Sequence, residues 1–284
     1  MIRRLRLGLR VNDIDASVKR AIRQAAGLGV RAVELAIDQP EIHPSNISES
    51  GRRHLARMVR NQGLELVCLA VPAAPATGTG GAGVGWDQTF ARASATLHMA
   101  RDMQVPLVAL PLESRGDARL PGGDSAGVDG DSPRPGDDSV VELLTLLADC
   151  ADRLSVGAAV RFTGVGCGRA CAWLKRVDCP LLGVAMDPSD AILAGDGPDA
   201  WVRDLADKLV IAYIRDAVSP QQDRTGYRCR LGRGDLSVTE YLSALSETGL
   251  AVPPILRAGG TGHARDGLRA DIAYLARSGC LVSR

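Results

Sequence analysis

Aromatic side chains are scarce in this chain, at 3% of the residues with only 2 Phe, 3 Trp and 4 Tyr. The core must therefore be filled by Leu, Val, Ala and Ile, and the stacking platforms that hold single-stranded nucleic acid are not available. Net charge is missing too: Lys+Arg 34 against Asp+Glu 33 leaves +1, so no basic field gathers nucleic acid or an anionic membrane. No apolar run reaches the ~18 residues that a membrane span needs. Behind the basic start Met1-Ile2-Arg3-Arg4, the residues alternate apolar and polar as a strand does, unlike a secretory leader. The 7 cysteines are odd in number and scattered, which speaks against a disulfide framework and for a reducing, cytoplasmic setting. Cys167, Cys171 and Cys179 come nearest to a zinc set, but they lack a C-x2-C pair and a fourth ligand close by, and read as inert thiols. This composition leaves a small molecule as the expected partner, with neither nucleic acid nor membrane, and it does not fix the oligomeric state.

What the sequence does contain is a rhythm. Its 284 residues, 45% hydrophobic and 24% charged, are enough for one sizeable core. Strand-like runs fall at Leu5 to Val11, Ala32 to Ile37, Leu64 to Val71, Leu107 to Leu112, Ala158 to Thr163, Leu182 to Met186, Leu209 to Ile214 and Pro254 to Arg257. Between and after them, apolar residues recur at intervals of three and four, as in Ala16 to Leu28, Gly51 to Gln62, Phe90 to Met103, Val140 to Leu154, Ala170 to Arg176, Asp199 to Asp207, Val238 to Thr248 and Gly267 to Arg277. Alternating strand and helix implies a parallel sheet, and eight such units in this length predict closure as a single (β/α)8 TIM barrel, α/β in class, spanning 1–284. Functional loops of such a barrel follow the carboxyl ends of its strands. Two irregular stretches do so: Ala73 to Gly85, and a Gly/Asp/Pro-rich segment at about 114–138 that reads as a flexible loop, either a lid or a tolerated insertion.

Several motifs deserve weighing. Gly78, Gly80 and Gly83 spell G-x-G-x-x-G, but Pro72 and Pro75 separate them from the preceding strand and no acidic strand end follows, so a dinucleotide cofactor is not expected. Gly164, Gly166 and Gly168 follow a strand and precede a helix, and Gly259, Gly260 and Gly262 with Thr261 repeat that arrangement after the last strand. Both are either anion nests or plain tight turns. His54 and His98 fall in helical patterns; His43 and His263 lie on loops after the second and eighth predicted strands.

Certain segments taken in order resemble the xylose isomerase-like superfamily of TIM barrels, which includes sugar phosphate isomerases and epimerases and endonuclease IV. They are Ala25-Ala26-Gly27-Leu28-Gly29-Val30-Arg31-Ala32-Val33-Glu34-Leu35, Gly63-Leu64-Glu65-Leu66 leading to Val71-Pro72, Leu181-Leu182-Gly183-Val184-Ala185-Met186-Asp187-Pro188, Tyr213-Ile214-Arg215-Asp216 and Leu231-Gly232-Arg233-Gly234-Asp235-Leu236. The resemblance implies a divalent metal held by a Glu, an Asp, a His and a Glu at the ends of strands five to eight. The matching positions here are Thr163, Asp187, Tyr213 (the His of an H-x-K-D pattern) and Arg257, with Asp190 at a frequent further position. Only Asp187 keeps the ligand type. A permanently charged guanidinium beside a divalent cation is repulsive, so neither this metal nor any other cofactor is expected.

Alternation along strands puts Arg161 on one face with Thr163, Arg215 with Tyr213, and Arg257 with Ile255, all aimed into the barrel. These arginines either hold an anion or, for Arg161 and Arg215, pair with Glu34, Asp187 or Asp216 as buried ion pairs. Two functions follow. One is a sugar or sugar-phosphate isomerase or epimerase without the metal, using Asp187, Glu34 or Glu113 as general base, Tyr213 as acid and the arginines against an enediolate, with Thr163 and Asp190 lining the substrate. The other is an inactive barrel that binds an anionic small molecule, such as a sugar phosphate or carboxylate, or a partner protein.

Overall fold

In the computed structural model, residues 6–72, 86–113, 136–223, 225–259 and 264–279 are described. Strands β1 Gly8–Arg10, β2 Ala32–Ala36, β3 Glu65–Ala70, β4 Leu107–Glu113, β5 Gly157–Thr163, β6 Leu182–Met186 and β7 Leu209–Ile214 are followed by a short antiparallel pair, β8 Asp216–Val218 and β9 Tyr227–Cys229, and then by β10 Ile255–Leu256. The helices are α1 Val18–Ala26, α2 Glu49–Asn61, α3 Trp86–Met103, α4 Asp137–Leu154, α5 Cys167–Lys175, α6 Pro188–Ala194, α7 Pro198–Asp204, α8 Val238–Glu247 and α9 Ala264–Arg277. Eight parallel strands close a barrel in the order β1-β10-β7-β6-β5-β4-β3-β2, with β8 and β9 standing outside it. The fold is therefore the α/β (β/α)8 barrel that the rhythm predicts.

Alternation along each strand explains both layers. Outward residues such as Leu9, Val33, Leu35, Leu69, Leu110, Val160, Val184 and Ile214 are buried in the main core under the helices. The inward residues form a second cluster of Ala32, Ala36, Val67, Cys68, Ala70, Ala109, Ala159, Ala185, Ile211, Tyr213 and Ile255. Six alanines make this interior narrow in side chain and leave room for one large residue, Tyr213, which is 2% exposed. Above this apolar plug, at the carboxyl ends, the same inward positions become charged: Arg10, Glu34, Arg161, Asp187, Arg215 and Arg257.

The expected strands all form, with ends that differ by a few residues. The elements not read from the sequence include the 3-10 turn Val11–Asp13, the β8–β9 hairpin, and α6, which begins with Pro188 at its first turn behind an Asp187 N-cap. Asp137 and Asp138, the end of the expected 114–138 loop, open α4 instead, with Gly136 as its left-handed N-cap. The rest of that loop lies outside the described residues, as do Gly78, Gly80, Gly83, Gly260, Thr261, Gly262 and His263. Among the described residues no helix is long and apolar enough to cross a membrane.

Candidate functional site at the carboxyl end of the barrel

A nearly continuous polar belt runs around the mouth. It begins at Arg10 on β1, whose Nε stands 3.7 Å from Asp13 and 3.8 Å from Oε1 of Glu34 on β2. Arg10 and Glu34 are register partners, and the β2–β3 register shifts between Val33 and Glu34, a local irregularity of the kind that re-aims a side chain. Glu34 is fully buried and its Oε2 accepts a 2.6 Å hydrogen bond from the Tyr213 hydroxyl. Burial first, and then the charge of Glu34, push the Tyr213 hydroxyl well above its ordinary pKa. It stays protonated and a donor.

Arg257, on the barrel side of β10, lies over the Tyr213 ring at 5.1 Å and reaches Asp187 Oδ2 at 3.2 Å. Arg215 donates to both oxygens of Asp187 and to Ser189 Oγ at 3.0 Å. Asp187 Oδ1 also accepts from the Ser189 hydroxyl at 2.7 Å and from the Ser189 amide at 3.1 Å. Burial alone raises the Asp187 pKa, but Arg215, Arg257, Arg161 and Ser189 outweigh it and hold the carboxyl well below the usual range. Burial also lowers the Arg215 pKa to about 10, still high enough to remain charged at neutral pH. Both oxygens of Asp187 are thus engaged, which leaves it ill suited to take a proton from a substrate.

The belt continues through Arg228, carried in by β9, which donates to Ser189 Oγ at 3.2 Å and to Asp190. Arg161 on β5 closes on Asp190 Oδ2 at 3.2 Å, and the Thr163 hydroxyl reaches that oxygen at 3.4 Å. Of the residues singled out in the sequence, Glu34, Thr163, Arg161, Asp187, Asp190, Tyr213, Arg215 and Arg257 therefore come together. Glu113 does not. It faces Thr163 in the β4–β5 register but is exposed, and no hydrogen bond or ion pair joins it to the belt among the described residues.

Arg10 and Arg228 are the cationic members that the sequence reading missed, along with Asp13 beside Arg10 and Ser189 between Asp187 and Arg215. Arg10 was legible, since strand alternation gives it the inward parity of Gly8; Arg228 was not, because its three-residue strand carries no pattern. The buried ion pairs offered as one fate of the arginines do form, with Asp187 and Asp190 rather than with Asp216. Asp216 instead accepts four amides at 2.8 to 3.0 Å, from Ala217, Gly232, Gly234 and Leu236, which moors the loop after β9.

Elsewhere the turn at Gly164 to Gly168 does not present a vacant nest. The Cys167 amide at the start of α5 already donates to Asp196 at 3.0 Å, and Gly164 adopts the left-handed φ of +69° that such a turn needs. His54 and His98 are exposed on helices, and His43 bonds Ser45 at 2.7 Å. Cys167, Cys171 and Cys179 are free thiols. Among the described residues no group of three or more His, Cys, Asp or Glu is disposed to hold a metal ion. The four positions at which the resemblance implies ligands carry a hydroxyl, a carboxylate saturated by guanidiniums, a phenol and a guanidinium, and this donor set does not fit a divalent cation.

Similar solved structures share this architecture. A xylose isomerase domain protein from Planctomyces limnophilus is 17% identical with a TM-score of 0.74, covering 97% of this chain and 96% of that one. A sugar phosphate isomerase/epimerase from Parabacteroides distasonis is 12% identical, TM-score 0.68, covering 99% and 96%. A xylose isomerase-like TIM barrel protein from Mycobacterium smegmatis, solved in complex with magnesium, is 14% identical, TM-score 0.67, covering 98% of each. At these identities the likeness is one of fold. No curated protein matches in sequence. The model of the xylose isomerase-like TIM barrel matches residues 22–278, nearly the whole β/α ring, and the chain belongs to that family.

Proposed function

We propose that this chain is a sugar isomerase/epimerase-like barrel that takes an anionic sugar derivative, a sugar phosphate or sugar carboxylate, at its carboxyl-end mouth without a divalent metal. One observation carries the reading: five guanidiniums line the mouth, Arg215 and Arg257 on Asp187, Arg161 and Arg228 on Asp190 and Arg10 beside Asp13 and Glu34, and one of them, Arg257, stands where the resemblance implies a metal ligand. The planar guanidinium pairs bidentately with two oxygens of a carboxylate or phosphate, and partial burial strengthens the attraction.

Thermal unfolding with added ligands tests this. Sugar phosphates raise the melting temperature in a saturable way, as any ligand of the native state does, and Mn²⁺ or Mg²⁺ titration calorimetry shows no stoichiometric binding. Stoichiometric metal binding lost in Asp187→Ala, with no stabilisation by anions, overturns the proposal.

A second reading, turnover, rests on Glu34. Its Oε1 is buried and makes no hydrogen bond, which leaves it the belt carboxylate oxygen best placed to accept a proton, while Tyr213 donates to its neighbour oxygen. Exchange of a carbon-bound hydrogen of a ketose phosphate in D₂O, abolished in Glu34→Gln, is the outcome this reading expects; no exchange leaves the barrel a binder.

A further inference from the structure

Six buried side-chain atoms lack a hydrogen-bond partner among the described residues, and four of them sit in the mouth: Nε of Arg10, Arg161 and Arg257, and Oε1 of Glu34. The other two belong to Gln24 and Arg52, on the outer helices α1 and α2. Leaving a buried donor or acceptor unmet is costly, so their concentration in one place describes the chemistry of what is absent. Three are donors, which an anion satisfies; Arg161 Nε nonetheless already stands 3.2 Å from Asp190 Oδ2, so the donors left for an anion are Nε of Arg10 and of Arg257. The fourth is an acceptor, which an anion repels.

The geometry separates these demands. Arg10 Nε and Glu34 Oε1 lie 3.8 Å apart, too far for a hydrogen bond to each other. A hydroxyl placed between them accepts from the first and donates to the second. Glu34 cannot turn that oxygen elsewhere, because Tyr213 holds Oε2 at 2.6 Å. Tyr213 also lies under the Arg257 guanidinium at 5.1 Å, so the hydroxyl position and the anion position flank the same ring.

We infer that the ligand is an anionic polyol, whose acid group is held by Arg257 and one of whose hydroxyls bridges Arg10 and Glu34. This rests on the anion-binding reading above and adds to it a requirement for a hydrogen-bond donor. Arg10 and Glu34 are then specificity-determining residues, separating hydroxy acids and phosphorylated polyols from plain acids. A bound water has the same donor and acceptor and is the competing occupant.

Titration calorimetry on the full chain decides, with D-gluconate, hexanoate, sorbitol and sorbitol 6-phosphate as probes. Hexanoate has the acid and chain of gluconate without its hydroxyls, and sorbitol has the hydroxyls without an acid. The tighter of gluconate and sorbitol 6-phosphate is expected to bind at least about tenfold better than hexanoate and than sorbitol, the worth of one hydrogen bond to a charged group. Which of the two it is identifies the acid as carboxylate or phosphate. In Glu34→Gln and in Arg10→Met the ratio to hexanoate falls to about one. Equal binding of both hydroxylated acids and hexanoate by the unaltered chain overturns the inference, assigns the bridge to water and leaves the anion reading standing. So does a ratio that persists in both variants. Sorbitol binding as tightly as the acids, or no binding of any probe, removes the anion reading itself. The comparison on the unaltered chain stands even if a variant does not fold.

Discussion

Asp187 and Asp271 are both buried aspartates, yet their environments push them in opposite directions. Asp187 has two guanidiniums on its oxygens and a depressed pKa. Its pairing therefore stabilises the fold above the ordinary aspartate value of about 3.9, and that stability is lost as pH falls towards the depressed one. Asp187→Asn is expected to cost about 3–5 kcal/mol at neutral pH in urea unfolding, because two buried guanidiniums lose their countercharge, and to flatten the acid limb of the stability curve. Among the described residues Asp271 on α9 has Arg230 at 3.4 Å and a backbone hydrogen bond at Leu231, and burial raises its pKa above the ordinary value despite both. Its contribution is present at acid pH and lost as pH rises through the raised value. Asp271→Asn is thus expected to remove that decline and to be no less stable than the parent at neutral pH, checked by urea midpoints across the range. The sequence could not separate these two: Asp187 ends a strand and invites attention, whereas Asp271 is one of several charges on an amphipathic helix, and only the structure shows which face it occupies.

At the scale of elements, the excursion after β7 distinguishes this barrel mouth, since β9 brings Arg228 to Asp190 and the following loop returns over Asp216. Every amide that Asp216 accepts belongs to this excursion, which Asp235 braces as well by accepting from the Ser219 amide at 2.7 Å and from the Gln222 side chain. Asp216→Ala is expected to cost about 3 kcal/mol, from amides left without acceptors. Hydrogen exchange at Gly232, Gly234 and Leu236 should quicken by far more than in the barrel strands; equal protection in parent and variant would show the loop to be held by something else. Gly234→Ala should act similarly, because a Cβ there would collide with the Ala217 carbonyl and the Asp216 carboxylate. The long strands were legible because each alternates over five or more residues between a helix-packed face and an alanine-lined interior. The hairpin was not, since its strands are three residues long and its fold follows from hydrogen bonds to a residue some twenty positions away.

For the whole molecule, the rhythm of strand and helix was enough to give the barrel, whereas the site depends on which strands become neighbours and what their ends exchange. Arg257 was legible as a charge in a ligand position. That it lies on the Tyr213 ring and shares Asp187 with Arg215 required β10, β7 and β6 to be laid side by side. If the donor set, and not the barrel, decides between cation and anion, restoring the family's ligand types should restore the cation. Combining Thr163→Glu, Tyr213→His and Arg257→Glu with the existing Asp187 supplies three carboxylates and an imidazole, a set suited to Mn²⁺ or Mg²⁺. It also removes the guanidinium whose repulsion opposes a divalent ion. Arg215 can stay, because the H-x-K-D pattern already carries a basic residue at that position. The triple variant, shown to be folded by circular dichroism, is expected to bind Mn²⁺ with one-to-one stoichiometry in titration calorimetry and to lose the stabilisation by sugar phosphates expected of the parent. A parent that binds Mn²⁺ as tightly as the triple variant would mean that the barrel recruits other ligands and that the guanidinium belt does not exclude a cation.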